Sequence, residues 1–330
     1  MTCPQCQRDT IKRFGTYGRQ KIQRYRCKAC GATFAEPRPR PLGAHSTTVD
    51  HAVATFTLLT EGMSVRAVAR VTGLHKTTIL ALLLTVGDRC ARLFDARVRH
   101  MRPAYVQADE LWTFVQKKQK RLKADDPVEY GDQYVWIALD SETKAVLSYY
   151  VGKRDGVSAY EFIGDLSTRV VGRFQITTDG LDGYVPAIEE HFGADVDFAQ
   201  LVKMYSKPHT DGPDWFQPSR VVSTIPTPVS GDPDFSRIST SHIERANLTV
   251  RMQLRRFTRL TNGFSKKLAN LKAAVAVFMA WYTFCRVHQT LRVTPAMQAR
   301  AHGSHLVDSG AADGRGRRPT EGGLESATQD

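Results

Sequence analysis

Three carboxylates stand in contexts from which one phosphate-handling centre could be assembled. Asp109 lies in Ala108-Asp109-Glu110-Leu111-Trp112, Asp179 in Thr178-Asp179-Gly180, and Glu244 in Ser241-His242-Ile243-Glu244-Arg245-Ala246-Asn247. Oxygen donors of this kind hold hard divalent cations. Two such ions, with water and phosphate completing their octahedra, can activate a water or a 3′-hydroxyl and stabilise the leaving oxygen of an in-line phosphoryl transfer. Proton transfer alone does not suffice, because charge must be neutralised on several oxygens together. Any one carboxylate alone is ordinary surface charge, and Asp140, Asp182 and Glu110 compete for the same roles. Strand alternation directs Glu110 to the face opposite Asp109. Glu244 and Arg251 are two helical turns apart, so a metal-holding carboxylate and a phosphate-holding guanidinium can share a face, with Arg255 beside them.

A second constellation is thiol-based. Cys3-Pro4-Gln5-Cys6 and Cys27-Lys28-Ala29-Cys30-Gly31 form a CxxC…CxxC pair. Two short knuckles at such spacing converge on a tetrahedral zinc site, and four sulfur ligands leave no position for a catalytic water, so the zinc is structural. Gly31 permits the tight turn after the second pair. Between the knuckles lie Arg8, Lys12, Arg13, Arg19, Lys21, Arg24 and Arg26, interleaved with Phe14, Tyr17 and Tyr25, a surface suited to phosphates. Cys90 and Cys285 fall within helix-like apolar patterns and are expected to be small buried residues.

The elements that must position these groups follow from periodicity. Residues 49–100 carry a helical pattern. Within them Ser64 is placed as an N-cap before Val65–Val71, Thr72-Gly73-Leu74 as a turn, and His75 to Leu83 as a second helix. This matches a helix-turn-helix, in which His75, Lys76, Thr77 and Thr78 at the start of the second helix face bases or phosphates. From Ala104 the pattern becomes α/β: strands at Tyr105–Asp109, Tyr134–Leu139, Ala145–Val151, Phe174–Thr178 and Val196–Met204, and helices at Ser158–Val171 and Tyr184–His191. Asp109 then sits on a first strand, Asp179 at the end of a later one, and Glu244 on a basic helix starting near Ser241. Ile243, Val250, Leu254 and Phe257 supply that helix's core face. Residues 206–240, rich in Pro, Ser, Thr, Asp and Gly, show no clear element and read as an insertion.

The formal charge is +13 with 42% hydrophobic residues, so a polyanion is the expected partner, nucleic acid before membrane. The charge is clustered. Residues 1–48 carry a net +8 and residues 244–272 a net +7. The longest apolar run, Leu271 to Cys285, is too short to span a bilayer and reads as a buried or interface helix. No signal peptide precedes Cys3, so the expected setting is a reducing cytosol, where metal binding prevails over disulfides. The domain reading is a zinc ribbon over 1–36, a basic Pro-rich linker over 37–48, a helix-turn-helix domain over 49–100, a catalytic domain over 101–300 containing the 206–240 insertion, and a disordered tail over 301–330.

Asp109 to Lys118, Thr178-Asp179-Gly180, Ser241 to Thr249 and Arg259 to Lys266 together resemble the catalytic motifs of insertion-sequence-one family transposases. The knuckles and helix-turn-helix look like that family's DNA-binding half, and Phe284 to Pro295 resembles a C-terminal stretch of related elements. The likeness spans most of residues 1–300. It implies a mixed-sheet RNase H-like α/β core with an Asp109–Asp179–Glu244 triad, two Mg²⁺ or Mn²⁺ ions, and terminal inverted repeats as cognate DNA. It also implies double-stranded target DNA, a homodimer or higher multimer at synapsis, and a place in the bacterial cytoplasm at the nucleoid. The Pro-rich stretch before Glu244 departs from the family pattern by lengthening the second interval. A nuclease without strand transfer, or a DNA-binding repressor with an inactive catalytic domain, is the alternative reading.

Overall fold

A computed structural model describes residues 1–18, 21–36, 41–206, 221–258 and 262–301. The chain divides into two compact units, Met1–Val49 and a second one beginning at Asp50. Arg19, most of the Pro-rich linker (37–40), residues 207–220 of the expected insertion, Arg259 to Thr261 of the family motif and the tail from 302 lie outside the described residues.

The first unit is a three-stranded antiparallel sheet, β1 (Ile11–Tyr17), β2 (Ile22–Cys27) and β3 (Thr33–Ala35), in that order. It has almost no apolar core. Among its described residues the buried hydrophobic side chains are Cys3, Cys27 and Leu42. Gly31 takes φ +74° and its N–H donates to the Cys27 carbonyl at 3.0 Å, closing the turn after the second cysteine pair.

The second unit opens with α1 (Val49–Thr60), α2 (Val65–Thr72) and α3 (Lys76–Arg97). Ser64 caps α2, its Oγ accepting from the Ala67 N–H at 3.1 Å, and Gly73 ends it at φ 73°, a left-handed position that suits glycine. The break bends α2 against α3 by 110°. Helix α3 runs 22 residues, well beyond the expected Leu83. It crosses α7 (Leu268–Phe284) so closely that a Cβ on Gly87 would lie 2.6 Å from that of Ala273. Leu83, Ala273, Ala274 and Val277 bury this seam, which ties the three helices to the α/β part of the same unit. Helix α7 holds the long apolar run and is mostly buried. Among the described residues no single helix is long and apolar enough to cross a membrane.

The α/β part is a six-stranded mixed sheet. Its strands are β4 (Tyr105–Val115), β5 (Gly131–Asp140), β6 (Val146–Gly152), β7 (Phe174–Asp179), β8 (Val196–Tyr205) and β9 (Val221–Ser230), ordered β6-β5-β4-β7-β8-β9. Strands β4, β7 and β8 are mutually parallel and the other pairings are antiparallel. Helices α4 (Gly156–Ser167) and α5 (Tyr184–Phe192) cover one face, where Trp136 packs against Phe162 and Tyr184. On the other side α6 (Ser241–Gln253) packs on β4 and β5, and α7 on β6. A short α8 (Pro295–Ala301) follows, with the Thr294 hydroxyl accepting from the Met297 N–H.

Four expectations need correction. The stretch 206–240 is not without structure, since β9 and a 3-10 turn at Phe235–Arg237 occupy much of it. Pro226 and Pro228 are tolerated because β9 pairs only with β8 and lies at the edge, where a missing N–H costs no ladder bond. Helix α4 stops at Ser167, short of Val171. Helix α6 ends at Gln253, so Leu254 and Phe257, though buried, sit in a following 3-10 turn. Cys285 is exposed and Cys90 half-buried, because Cys285 caps α7 beyond its last buried turn.

Candidate active site

The pairing of β4 makes the site. β4 is bonded to β7 only from Tyr105↔Gln175 to Gln107↔Thr177, and next meets a neighbour on that side at Val115↔Ser265. Between these points its edge opens into a notch. Asp109 and Glu110 lie on β4 just past the split, and Asp179 ends β7 at its mouth. Because no strand separates the two faces there, carboxylates from both can meet. Asp109, Glu110 and Asp179 each offer an oxygen within 4.8 Å of the others. Alternation alone would have kept Glu110 away.

The surroundings are charged and partly dry. Burial, then the charge of Asp179, pushes the Asp109 carboxyl up to about 6. The same two causes, in the same order, push Glu110 up to about 7. One buried oxygen of Glu110 has no hydrogen-bond partner, and the fully buried Tyr184 sets its hydroxyl beside that carboxyl. Arg154, in the loop after β6, bridges the cluster, its Nε 3.2 Å from Glu110 and its Nη2 3.3 Å from Asp179. Clustered, half-desolvated carboxylates with an orphaned oxygen fit a divalent cation, whose charge offsets both the burial and the mutual repulsion that raise these pKa values. At metal–oxygen distances of about 2.1 Å, oxygens within this span can share one ion or two neighbouring ones.

Helix α6 is fastened over the notch by two amides. The buried Gln107 Oε1 accepts from the N–H groups of His242 (2.9 Å) and Ile243 (3.1 Å), capping the helix start. Asn247 donates to Asp109 Oδ2 at 2.8 Å. Glu244, one turn before Asn247, is not among the three clustered carboxylates. Its Oε1 accepts from Lys203 Nζ and from Thr240 Oγ1, both at 2.5 Å. Burial raises its pKa, but these two partners outweigh it and hold Glu244 below the usual range. Arg251 is half-buried and Arg255 exposed. The competitors drop away. Asp140 is buried in the β5–β6 turn, accepting from Glu142 N–H and Thr143 Oγ1, and Asp182 is exposed outside the cluster.

The four cysteines of the first unit also converge, with Cys3–Cys30 and Cys6–Cys27 Sγ pairs each 3.6 Å apart. That is far beyond a disulfide bond of about 2.05 Å. It matches the edge, about 3.8 Å, of a tetrahedron with zinc–sulfur bonds of about 2.3 Å. The Cys30 N–H helps lower the Cys27 thiol, while burial and the neighbouring sulfurs raise Cys30, so without metal the cluster holds thiolate and thiol together. On the exposed face Arg24 and Arg26 lie 5.8 and 5.7 Å from the Phe14 ring. At the start of α3, His75, Lys76 and Thr77 are exposed and Thr78 is half-buried. His75 is occupied with capping, its Nδ1 2.7 Å from the Thr77 hydroxyl and accepting from the Thr77 N–H at 3.4 Å.

No family model matches the chain, and no curated protein matches it. Among solved structures it is similar to a piggyBac transposase synaptic complex with hairpin DNA, at 10% identity and a TM-score of 0.36, over 82% of this chain and 71% of that one. A pre-cleavage Mos1 transpososome (10% identity) and a Mos1 strand transfer complex (12%) also match, each at a TM-score of 0.19. These cover 49% of this chain and 62% and 60% of theirs, so the chain spans less than two thirds of the Mos1 chains. At TM-scores this low the functional reading rests on the site's own residues.

The electrostatics have a testable consequence for stability. Asp109 and Glu110 have folded pKa values above their unfolded ones. They therefore weaken the fold at pH 8, and that penalty fades as pH falls through 7 and 6 toward 4. Asp109→Asn, measured without divalent metal, is expected to stabilise the chain by about 3 kcal/mol at pH 8 and by close to nothing near pH 4, from a shift of about two units. Thermal melts at both pH values check this. Equal effects at the two pH values would show that neither burial nor Asp179 raises this carboxyl.

Proposed function

We propose that this chain is a transposase. It binds the terminal inverted repeats of an insertion element, cleaves the ends by metal-dependent phosphodiester hydrolysis, and joins the 3′-hydroxyl to target DNA. The observation that carries this reading is the Asp109–Glu110–Asp179 cluster in the open notch between β4 and β7, roofed by a basic helix whose first turn holds Glu244. The sheet order supports an RNase H-like core. Counted from β4 the first five strands run third, second, first, fourth, fifth, with the second antiparallel to its neighbours and β9 added at the edge.

Asp109, Asp179 and Glu244, with Glu110 beside them, would hold two Mg²⁺ or Mn²⁺ ions. When bound, these ions supply charge neutralisation on the phosphate and a metal-activated oxygen nucleophile. The chain's own residues do the positioning. Gln107 and Asn247 lock α6 over Asp109. Arg154 and Lys203 neutralise the carboxylates in the metal-free chain, and both leave cationic side chains at the notch for phosphate. Arg251 and Arg255 extend that charge along α6. The cysteine cluster reads as a structural zinc ribbon and α2–α3 as a helix-turn-helix. Lys76 and Thr77 are its most exposed candidates for contact with DNA, and the assembly at paired ends is a homodimer or higher multimer.

The test uses the full chain and the DNA bordering its gene. With Mg²⁺, that DNA should be nicked at the element ends and joined to a second duplex, and omission of divalent metal should stop both. Nicking without joined product would make the chain a nuclease only. Specific binding without nicking would make it a repressor.

A further inference from the structure

The far end of β4 carries a cavity of about 550 Å³ that the proposed chemistry does not use. Three half-buried aromatic rings line it. Trp112 and Phe114 have centroids 5.8 Å apart, and Phe114 stacks on Phe264 at 4.8 Å with an interplanar angle of 29°. Around the rings the charge is positive. Lys118 Nζ is 5.9 Å from the Trp112 ring, and Lys120 and Arg121 are exposed at the rim. Lys117 is not available, because Asp126 holds it at 2.6 Å.

Arg256 sets the chemistry of the floor. It is half-buried, and its Nη1 donates to Ser265 Oγ at 2.7 Å. Partial burial pushes it down to about 10, and among the described residues no carboxylate forms an ion pair with it. A guanidinium drawn partly out of water is best matched by an anion that its free N–H groups can bind. Aromatic faces with an adjoining cationic floor are the combination that takes up bases together with their phosphates. A stacked duplex hides its base faces, whereas a cavity of this volume accommodates one unstacked nucleotide.

The position fits a nucleic acid already engaged at the notch. Trp112 is two residues beyond Glu110 on the same side of the strand, about 7 Å along it. A nucleotide in the cavity would therefore be a near neighbour of the phosphate at the carboxylates. We propose that this cavity receives one unstacked nucleotide of single-stranded DNA, its base against Trp112, Phe114 and Phe264 and its phosphate on Arg256 and Lys118. The inference rests on the DNA reading above and names a further contact within it.

The test is a cycle between protein and base, read by fluorescence anisotropy on the full chain without Mg²⁺, so that nothing is cut. The probes are a labelled single-stranded oligonucleotide of the bordering DNA and a series of the same strand with one abasic site moved along it. Trp112→Ala should weaken binding of the intact strand about 10- to 100-fold, and Trp112→Phe should restore most of it. At one abasic position the wild type should show the same loss, and Trp112→Ala should add nothing further. Phe264→Ala, in the loop after α6, gives an independent arm should Trp112→Ala not fold. Normal DNA binding with no such coupling at any position overturns the pocket and leaves the DNA reading standing. Coupling on the RNA version of the strand but not on DNA also overturns it. Failure of the wild type to bind single- or double-stranded DNA overturns the DNA reading itself.

Discussion

Asp179→Asn is expected to lower DNA nicking and joining by about a thousandfold or more while leaving DNA affinity within a few-fold of wild type. Asp179 is the common element of the cluster, since its charge raises both Asp109 and Glu110. An amide keeps its shape and its acceptor for the Leu181 N–H but removes the charge that neutralises a cation. Asp109→Asn should match it, because a metal site fails as a unit. The informative pair is Glu244→Gln and Glu110→Gln. On the proposed triad, Glu244→Gln should be as severe as the aspartate variants, whereas Glu110→Gln should cost about tenfold through its hold on Arg154. The reverse order would transfer the third ligand to Glu110. Binding of end DNA by each variant, measured beside the nicking assay, separates lost chemistry from lost folding.

Removal of zinc should unfold the first unit and spare the second. A 49-residue unit whose described core is two cysteines and Leu42 cannot offset its chain entropy by burial alone. A four-thiolate zinc site contributes on the order of 10–16 kcal/mol at pH 7, enough to decide the matter. Chelation should therefore expose Arg8, Lys12, Arg13, Arg24 and Arg26 to trypsin, while the chain from Asp50 keeps its melting transition. About one zinc per chain should be released, and more readily as pH falls through the thiol range, because protons compete for the sulfurs. An unchanged tryptic pattern after verified metal removal would falsify the structural role.

The sequence showed best where one local rule governed. Apolar alternation located β4 to β8, the Ser64 and Gly73 signals located α2, and the cysteine spacing located the thiol cluster. It failed where distant contacts decided. Strand β9 was hidden by Pro226 and Pro228, which are permitted only because the strand lies at an edge. Glu110 was set aside because alternation assumes a continuous sheet, and nothing local announces that β7 leaves β4 after Gln107. Arg154 and Lys203 gave no signal, since their roles depend on partners far along the chain. Gln107 gave a weak one. An amide inside Tyr105-Val106-Gln107-Ala108 must find partners if buried, and it found them on α6.

The contact of Gly87 with Ala273 leaves no room between α3 and α7 for a side chain, so the two helices are packed tightly at that point. Helix α3 is then a strut of about 33 Å, at about 1.5 Å per residue, running from Lys76 to the approach of β4. On the proposed function, the fold works as a ruler. The offset between the bases read at one end of the strut and the bond cut at the notch is set by the length of a helix rather than by a tether. One base pair added between the bound sequence and the element's end should move the cut along the DNA, because the protein has nothing there to stretch.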